Sequence, residues 1–464
     1  MFAQMKRLIS FLLIVFSVYG LDLYLSGCAQ IIAPTGGTRD SLPPKLLSAT
    51  PDNHSTFFKG NRITLNFDEY VQLQDVRQNL VVSPTPQVDP YVDYKLRSVI
   101  IKLKDSLIPN TTYTINLGNA IRDINENNPV NNFTYVFSTG ATIDSLRFSG
   151  TIQLAETGEK DSTIFAYLYK NLNDSAVLKQ KPTYISRPDG QGNFNFINLA
   201  PGTYKIYGLK DQDNSRTYNY KTELFAFSDS PVIVNGNTRP IKLFAFAEEK
   251  EKQKFTPVRE KVLRYTSVVS STGRQDLIKD LVIEFNKPLK IVDKEKLQLL
   301  DSSGKRLNPE IILDSTSRKL SVKNTWVPDE SYKLVLPKDF VTDTSGTTLA
   351  KTDTIKFKVK KETDYGIVKL KFINFDKTKN PVLQFVYNNE VLMSYPLTSE
   401  TWNAPLFPPG EFGIRILYDD NKNGVWDPGN FTLKKQPEKV YAVPQKLTVR
   451  ENFEKDVDIE LPKN

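Results

Sequence analysis

The sequence predicts an all-β protein, a row of tandem β-sandwich domains behind a short apolar N-terminus. Three observations carry that expectation. Apolar and polar residues alternate through runs such as ITLNFDEYV (63–71) and LVIEFNKPL (281–289), the period of a half-buried strand. The composition, with 27 Phe and 21 Tyr against 3 Met, and 28 Pro against 22 Gly, suits short strands and turns better than helices. The chain also repeats itself, and repeated units of this size read as duplicated domains.

Taken from the N-terminus, Lys6 and Arg7 precede the apolar run LISFLLIVFSVYG (8–20), which is too short to span a bilayer comfortably and is followed by Asp22. This is the layout of a secretory signal peptide, 1–27. Leu25-Ser26-Gly27-Cys28 then resembles a bacterial lipobox, and Cys28 is the single cysteine of the 464 residues. The resemblance implies cleavage before Cys28, a diacylglycerol on its thiol and an acylated (palmitate-type) amino terminus. Several acyl chains anchor a protein firmly to a membrane. Asp22 departs from the usual apolar stretch before the lipobox. Ala29 stands where an inner-membrane retention signal carries Asp, so the resemblance implies the outer membrane. The absence of an acidic run after Cys28 leans to its periplasmic face, and the cell-surface face stays open. Gly/Pro-rich residues complete a lipidated tether, 28–44.

The first sandwich, 45–141, contains Phe67 in its alternating strand, then LIPNTTYTINL with Pro109 and Tyr113, an acidic turn at Asp123 and a closing strand, TYVFST. The third, 258–361, matches it through Phe285, Pro328, Tyr332 and Asp343 at a nearly constant offset. The second, 142–247, carries GNFNFINLAPGTYKIYGLKDQDNS (192–215). The fourth, 362–464, carries APLFPPGEFGIRILYDDNKN (404–423), in which Pro409-Gly410, Phe412, Ile414 and Asp419 match Pro201-Gly202, Tyr204, Ile206 and Asp211. A charged linker, 248–257, divides the halves, and the order is A-B-A-B. The A modules resemble bacterial Ig-like domains of the SbsA kind, through the spaced prolines Pro43 to Pro51, the strand ending Phe67-Asp68, and Phe137-Ser138-Thr139-Gly140. The B modules resemble transthyretin-like or carboxypeptidase-regulatory sandwiches, through G-x-F-x-F-x-x-L-x-P-G-x-Y. These resemblances imply fold and leave function open, because such sandwiches host many roles. Laid end to end, four modules would reach beyond ~100 Å, and short linkers would allow the row to fold back instead.

Charge and chemistry exclude more than they assign. The formal charge of +8 is spread along the chain, which suits a solvated surface and no nucleic-acid module. The single histidine, His54, sits in the turn-like PDNHSTFF; a histidine-based triad would have to use this one imidazole, no ordinary zinc site can be built from it, and carboxylate-only chemistry finds no distinctively placed pair of acids. The sharpest motif is YDDNKNGVWDPGNF (418–431): Asp419, Asn421, Asn423 and Gly424 fit the start of a calcium loop, and Asp427 offers another oxygen. The EF-hand glutamate is missing, because Asn430 occupies its place. The earlier copy keeps Asp211 and Asp213 but has Arg216 in place of the glycine. A plain Asx-rich turn explains both copies without an ion. Asp68, Glu69 and Tyr70, at a strand end, are candidates for a partner contact or for a solvated edge. Trp326, Trp402 and Trp426, or YVDYKL from Tyr91, form either a sugar-stacking surface or core packing. DGQGN (189–193) reads as a hairpin turn.

The expectation is therefore a non-enzymatic lipoprotein on the outer membrane, with lipid on Cys28 and structural calcium as the one candidate ion. The lipobox, TGGTRDSLPPK and the strand after it together resemble a group of Ig-like outer-membrane lipoproteins. That resemblance implies a scaffold or accessory subunit of an outer-membrane protein complex, the β-barrel assembly machinery among them, and a β-barrel protein as partner. The alternatives are a glycan-binding lipoprotein of a nutrient-uptake system and a purely structural envelope stalk.

Overall fold

The computed structural model describes residues 40–250 and 262–463, together with Ile9, Ser10, Leu12 and Ile14. The signal peptide, the lipobox with Cys28, most of the tether and most of the charged linker lie outside the described residues, apart from those four. Among the described residues no helix is long and apolar enough to cross a membrane.

All four sandwiches are present. In the first A module, one sheet orders the strands Leu46–Thr50, Arg62–Phe67, Ser98–Lys102 and Tyr91–Lys95, and the other orders Val81–Ser83, Thr112–Gly118 and Phe133–Ser138. Ile63, Leu65 and Phe67 alternate inward, as their period requires, and meet Ile115, Leu117, Tyr135 and Phe137 from the facing sheet. The Pro-x-x-x-Tyr spacing has a physical reason in both A modules. The Tyr113 hydroxyl accepts the Ile108 N–H at 2.8 Å, and the Tyr332 hydroxyl accepts the Val327 N–H at 3.3 Å, pinning the chain as it enters the strand. Asp123 and Asp343 are wholly buried and serve as turn acceptors: Asp123 takes the N–H groups of Glu126, Asn127 and Asn128, and Asp343 those of Ser345 and Thr347. The chain joins the first A module earlier than the tether boundary suggests, since the Asn128 side chain donates to the carbonyls of Asp40 and Leu42.

The B modules correspond strand for strand. One sheet orders Asn193–Leu199, Leu146–Leu154 and Ile241–Ala245, matched by Thr401–Phe407, Gly366–Ile373 and Glu454–Glu460. In each, the module's first and last strands pair in parallel. The other sheet orders Tyr184–Ser186, Phe165–Tyr169, Gly202–Leu209 and Phe225–Phe227, matched by Glu390–Pro396, Pro381–Tyr387, Gly410–Tyr418 and Lys439–Ala442. DGQGN is therefore not a hairpin turn. It carries the chain from one sheet to the other, and the Asp189 carboxylate accepts the N–H groups of Gln191 and Asn193.

The four modules do not run end to end. The second A module holds the second B module through the buried Tyr365, whose hydroxyl donates to Asp276 at 2.9 Å and accepts the Leu277 N–H at 2.7 Å. The second B module then returns to pack on the first. The first pair is joined by a backbone bond from the Thr85 N–H to the Thr183 carbonyl and by a bidentate Arg216–Asp89 ion pair at 2.9 and 3.0 Å.

Candidate functional site

Three regions gather functional groups. The first is the pair of acidic loops that follow Gly202–Leu209 and Gly410–Tyr418, and they are built alike. Asp211 accepts the N–H groups of Ser215 and Arg216, and Asp419 those of Asn423 and Gly424. A buried glutamate closes each loop. Glu223 accepts the N–H groups of Gln212, Asn219 and Tyr220, and Glu438 those of Asp420 and Asp427. Sequence reading missed both glutamates, because it looked for an acid at EF-hand spacing and these stand at two different distances from the first aspartate. The signal available was an acid one or two residues before the next strand in both copies.

Asp211, Asp213 and Glu223 bring one carboxylate oxygen each within 4.8 Å of one another, an all-oxygen set suited to a hard divalent cation such as calcium. The stronger gathering of acids is thus in the first loop, although the sequence motif is fuller in the second. In the second loop Asp419 is buried, while Asp427 takes the side-chain amides of Asn421 and Asn423, so those oxygens are occupied within the protein. Burial raises the Asp211 carboxyl, with the charges of Asp213 and Glu223 adding to it against the Arg216 N–H. Burial raises Glu438 likewise, opposed by its two backbone donors and reinforced by Asp419 and Asp427. Arg216 adopts φ 60°, the left-handed place that Gly424 fills at 81°, and its side chain reaches Asp89 of the first A module.

The second region is where the B modules meet. The second loop is longer than the first between its two acids, and the added residues project Phe431 into the aromatic face of the first B module. Its ring lies 5.8 Å from Tyr207, 5.0 Å from Phe225 and 5.4 Å from Phe227. The Phe431 N–H donates to Glu248 at 3.1 Å, and the same Glu248 oxygen accepts the Tyr218 hydroxyl. Glu248, the first residue of the charged linker, has its side chain buried in this contact. Gly429 passes so close to the Phe246 ring that a Cβ would lie 2.5 Å from it. Lys434 covers Phe431 at 3.7 Å and pairs with Asp174 at 2.9 Å, and the Gln436 amide donates to the Phe227 carbonyl.

The third region is a cleft of about 760 Å³ between the first A and B modules. Its walls mix amides and hydroxyls, among them Asn116, Asn195 and Thr114, with apolar and aromatic side chains such as Ile185, Phe194 and Phe196. Arg187 closes one end, donating to the Gln78 carbonyl.

The remaining expected residues separate. Asp68 and Tyr70 are exposed, Asp68 accepts the Lys45 N–H at 2.8 Å, and the Arg97 guanidinium lies over the Tyr70 ring at 5.1 Å. Glu69 is raised by partial burial and by the nearby Asp123, Asp68, Asp40 and Glu126 charges. His54 is an exposed turn residue at φ 66°. The tryptophans line no common groove: Trp326 lies in the core of the second A module, Trp402 packs on Phe385, and Trp426 donates to the Glu438 carbonyl.

Comparison with known proteins agrees with the first module. Residues 40–139 match the bacterial Ig-like domain family. No curated protein matches the chain. Among solved structures, the S-layer protein SbsC is 13% identical over 90% of this chain and 54% of that one, at a TM-score of 0.17. The major pilin subunit of Bacillus cereus is 13% identical over 67% and 99%, at 0.16. The Bacillus anthracis TIE protein is 11% identical over 92% and 75%, at 0.16. The chain spans about half the length of the S-layer structures it matches. Overlap at this level carries no argument about function.

Proposed function

We propose that this protein is a non-enzymatic outer-membrane lipoprotein, held by lipid on Cys28, that serves as a scaffold or accessory subunit of an outer-membrane protein complex. The observation that carries the reading is the Phe431 contact. A chain of loosely linked sandwiches would present its loops at variable distances, whereas a fourth module locked onto the second fixes edges and loops relative to one another. The B modules are read as transthyretin-like, and calcium at the acidic loops as a structural ion. A β-barrel protein, within the β-barrel assembly machinery or a similar complex, is the partner this reading expects. The lipobox supports the anchor, and the exposed turn position of the single histidine, His54, supports a binding role over histidine-based catalysis.

The test is purification from membranes in mild detergent through a C-terminal tag, followed by mass spectrometry. A stoichiometric barrel protein together with acyl chains on Cys28 is the expected result. Recovery of the lipoprotein alone contradicts the scaffold role, and an unmodified Cys28 contradicts the anchor.

A second reading, glycan binding, draws on this cleft, because Asn amides and hydroxyls set beside aromatic surface suit a polyhydroxylated ligand. It places the site between the first A and B modules rather than on tryptophans. A glycan array on the purified chain tests it, with binding lost in Asn116→Ala.

A further inference from the structure

The duplication leaves one sheet edge unmatched. In the first pair of modules, the edge strand Tyr184–Ser186 of the B module meets Val81–Ser83 of the A module, with the Ile185 N–H donating to the Ser83 hydroxyl at 3.2 Å and the Thr85 N–H to the Thr183 carbonyl at 3.0 Å. In the second pair the equivalent A strand, Gln298–Leu300, is already closed on that side by its own neighbour, Arg306–Leu307. The equivalent B strand, Glu390–Pro396, has grown to seven residues, and among the described residues it pairs only with Pro381–Tyr387.

That edge carries only part of the usual protection. Natural sheets blunt long edges with lysines, prolines within the strand, bulges or a covering element. Here the strand reads EVLMSYP, has no lysine and holds its proline at the last position. One bulge interrupts its ladder, where Val391 opposes Val386 and Met393 opposes Phe385, so that Leu392 has no partner on the neighbouring strand. Val391, Leu392 and Tyr395 are 44%, 47% and 37% exposed.

We propose that Glu390–Pro396 is a docking edge for a second copy of this chain, the two strands pairing antiparallel about a two-fold axis at Met393. The strand is self-complementary in that register. Val391 faces Tyr395 of the other copy, a β-branched residue opposite an aromatic one, and this favourable pair occurs twice. Leu392 faces Ser394, Met393 faces itself, and Glu390 faces Pro396, so no like charges oppose. Isologous two-fold contacts are the commonest route to a homodimer. A contact of one strand on one strand falls short of the ~1,200 Å² of a standard stable interface, so assembly depends on concentration, as it would for copies crowded on a membrane. The inference holds whichever complex the protein serves.

Sedimentation velocity of the full chain in detergent, across a concentration series, is the test. A monomer–dimer equilibrium is expected, weakened about tenfold by Val391→Lys and restored when Tyr395→Glu is added, because the register sets those positions opposite. Leu392→Lys with Ser394→Glu repeats the swap at side chains outside the aromatic cluster, in case Tyr395→Glu disturbs folding. A chain that stays monomeric at every concentration overturns the proposal, as does a dimer that neither single lysine weakens while the thermal midpoint is unchanged.

Discussion

The ring of Phe431, carried by the last module, stands 5.0 Å from that of Phe225 in the second, with their planes inclined by 69°. This edge-on contact ties the two B modules together, and it lies on residues that the second B module has and the first lacks. Aromatic pairs in this geometry add to the burial of the ring itself.

Phe431→Ala therefore separates docking from folding. Truncating a buried Phe costs ~3–5 kcal/mol, here charged to the contact between modules rather than to either core. Calorimetry is expected to show the B modules melting in separate transitions, with the A-module transitions unmoved. Gly429→Ala should act in the same direction, because its Cβ would meet the Phe246 ring and the Lys435 carbonyl.

The buried turn acids set the acid limit of the A modules. Burial alone would raise Asp123, but the N–H groups of Glu126, Asn128 and Asn127 outweigh it and hold the carboxyl below its ordinary value. Asp343 is lowered in the same way, against burial, by the Thr347 N–H and Lys287. A lowered folded value stabilises above the unfolded carboxyl range and is lost as pH falls through the folded one, so both A modules should weaken below about pH 4. Asp123→Asn and Asp343→Asn should each cost ~1–3 kcal/mol at pH 7 and flatten that acid limb, read by thermal melts across pH.

Arg216 and Asp89 give the opposite lesson. Their bidentate pair bridges two modules, but the Asp89 side chain is 49% exposed. Pairs so open to solvent contribute ~0–1 kcal/mol, so Asp89→Asn should shift the melting midpoint little, and less still in high salt. Arg216→Gly removes the same pair while relieving the left-handed backbone, and is expected to be nearly neutral.

Calcium titration decides whether the acidic loops hold an ion. Asp211 and Glu438 have raised values, so their contributions are fully present below the ordinary carboxylate range and are lost as pH rises through the folded ones. A bound cation reverses that sign. If calcium binds the folded chain alone, a hundredfold excess over its dissociation constant stabilises by ~2.7 kcal/mol at pH 7. Asp211→Asn with Glu223→Gln should abolish the gain, whereas Asp419→Asn should leave the first loop's share. No change in the midpoint with calcium returns both loops to plain turns.

Much of the fold was legible because period-two alternation and the repeat are local signals. Phe67 and Phe285, Tyr113 and Tyr332, and the Pro-Gly turns at 201 and 409 occupy matching places in their modules. Short linkers left a return of the last module open, but the surface it meets was not legible. Phe431 looks like one more loop aromatic in the sequence, and its partners Tyr207, Phe225 and Phe227 sit on strand positions that alternation assigns to an outer face. Glu248 was hidden for the same reason, as a buried acceptor at the head of a charged run. Arg216 read as a broken calcium motif, but a non-glycine residue can hold a left-handed φ where hydrogen bonds over-determine the loop.

The second B module is locked onto the first through Phe431, which fixes the relative placement of the modules. Small-angle scattering from the full chain, with and without Phe431→Ala, tests it most directly. The account predicts a radius of gyration for the wild type closer to the ~23 Å of a compact chain of this length than to that of four modules in line, and a clear increase in the variant. An extended wild-type profile that Phe431→Ala leaves unchanged would contradict it.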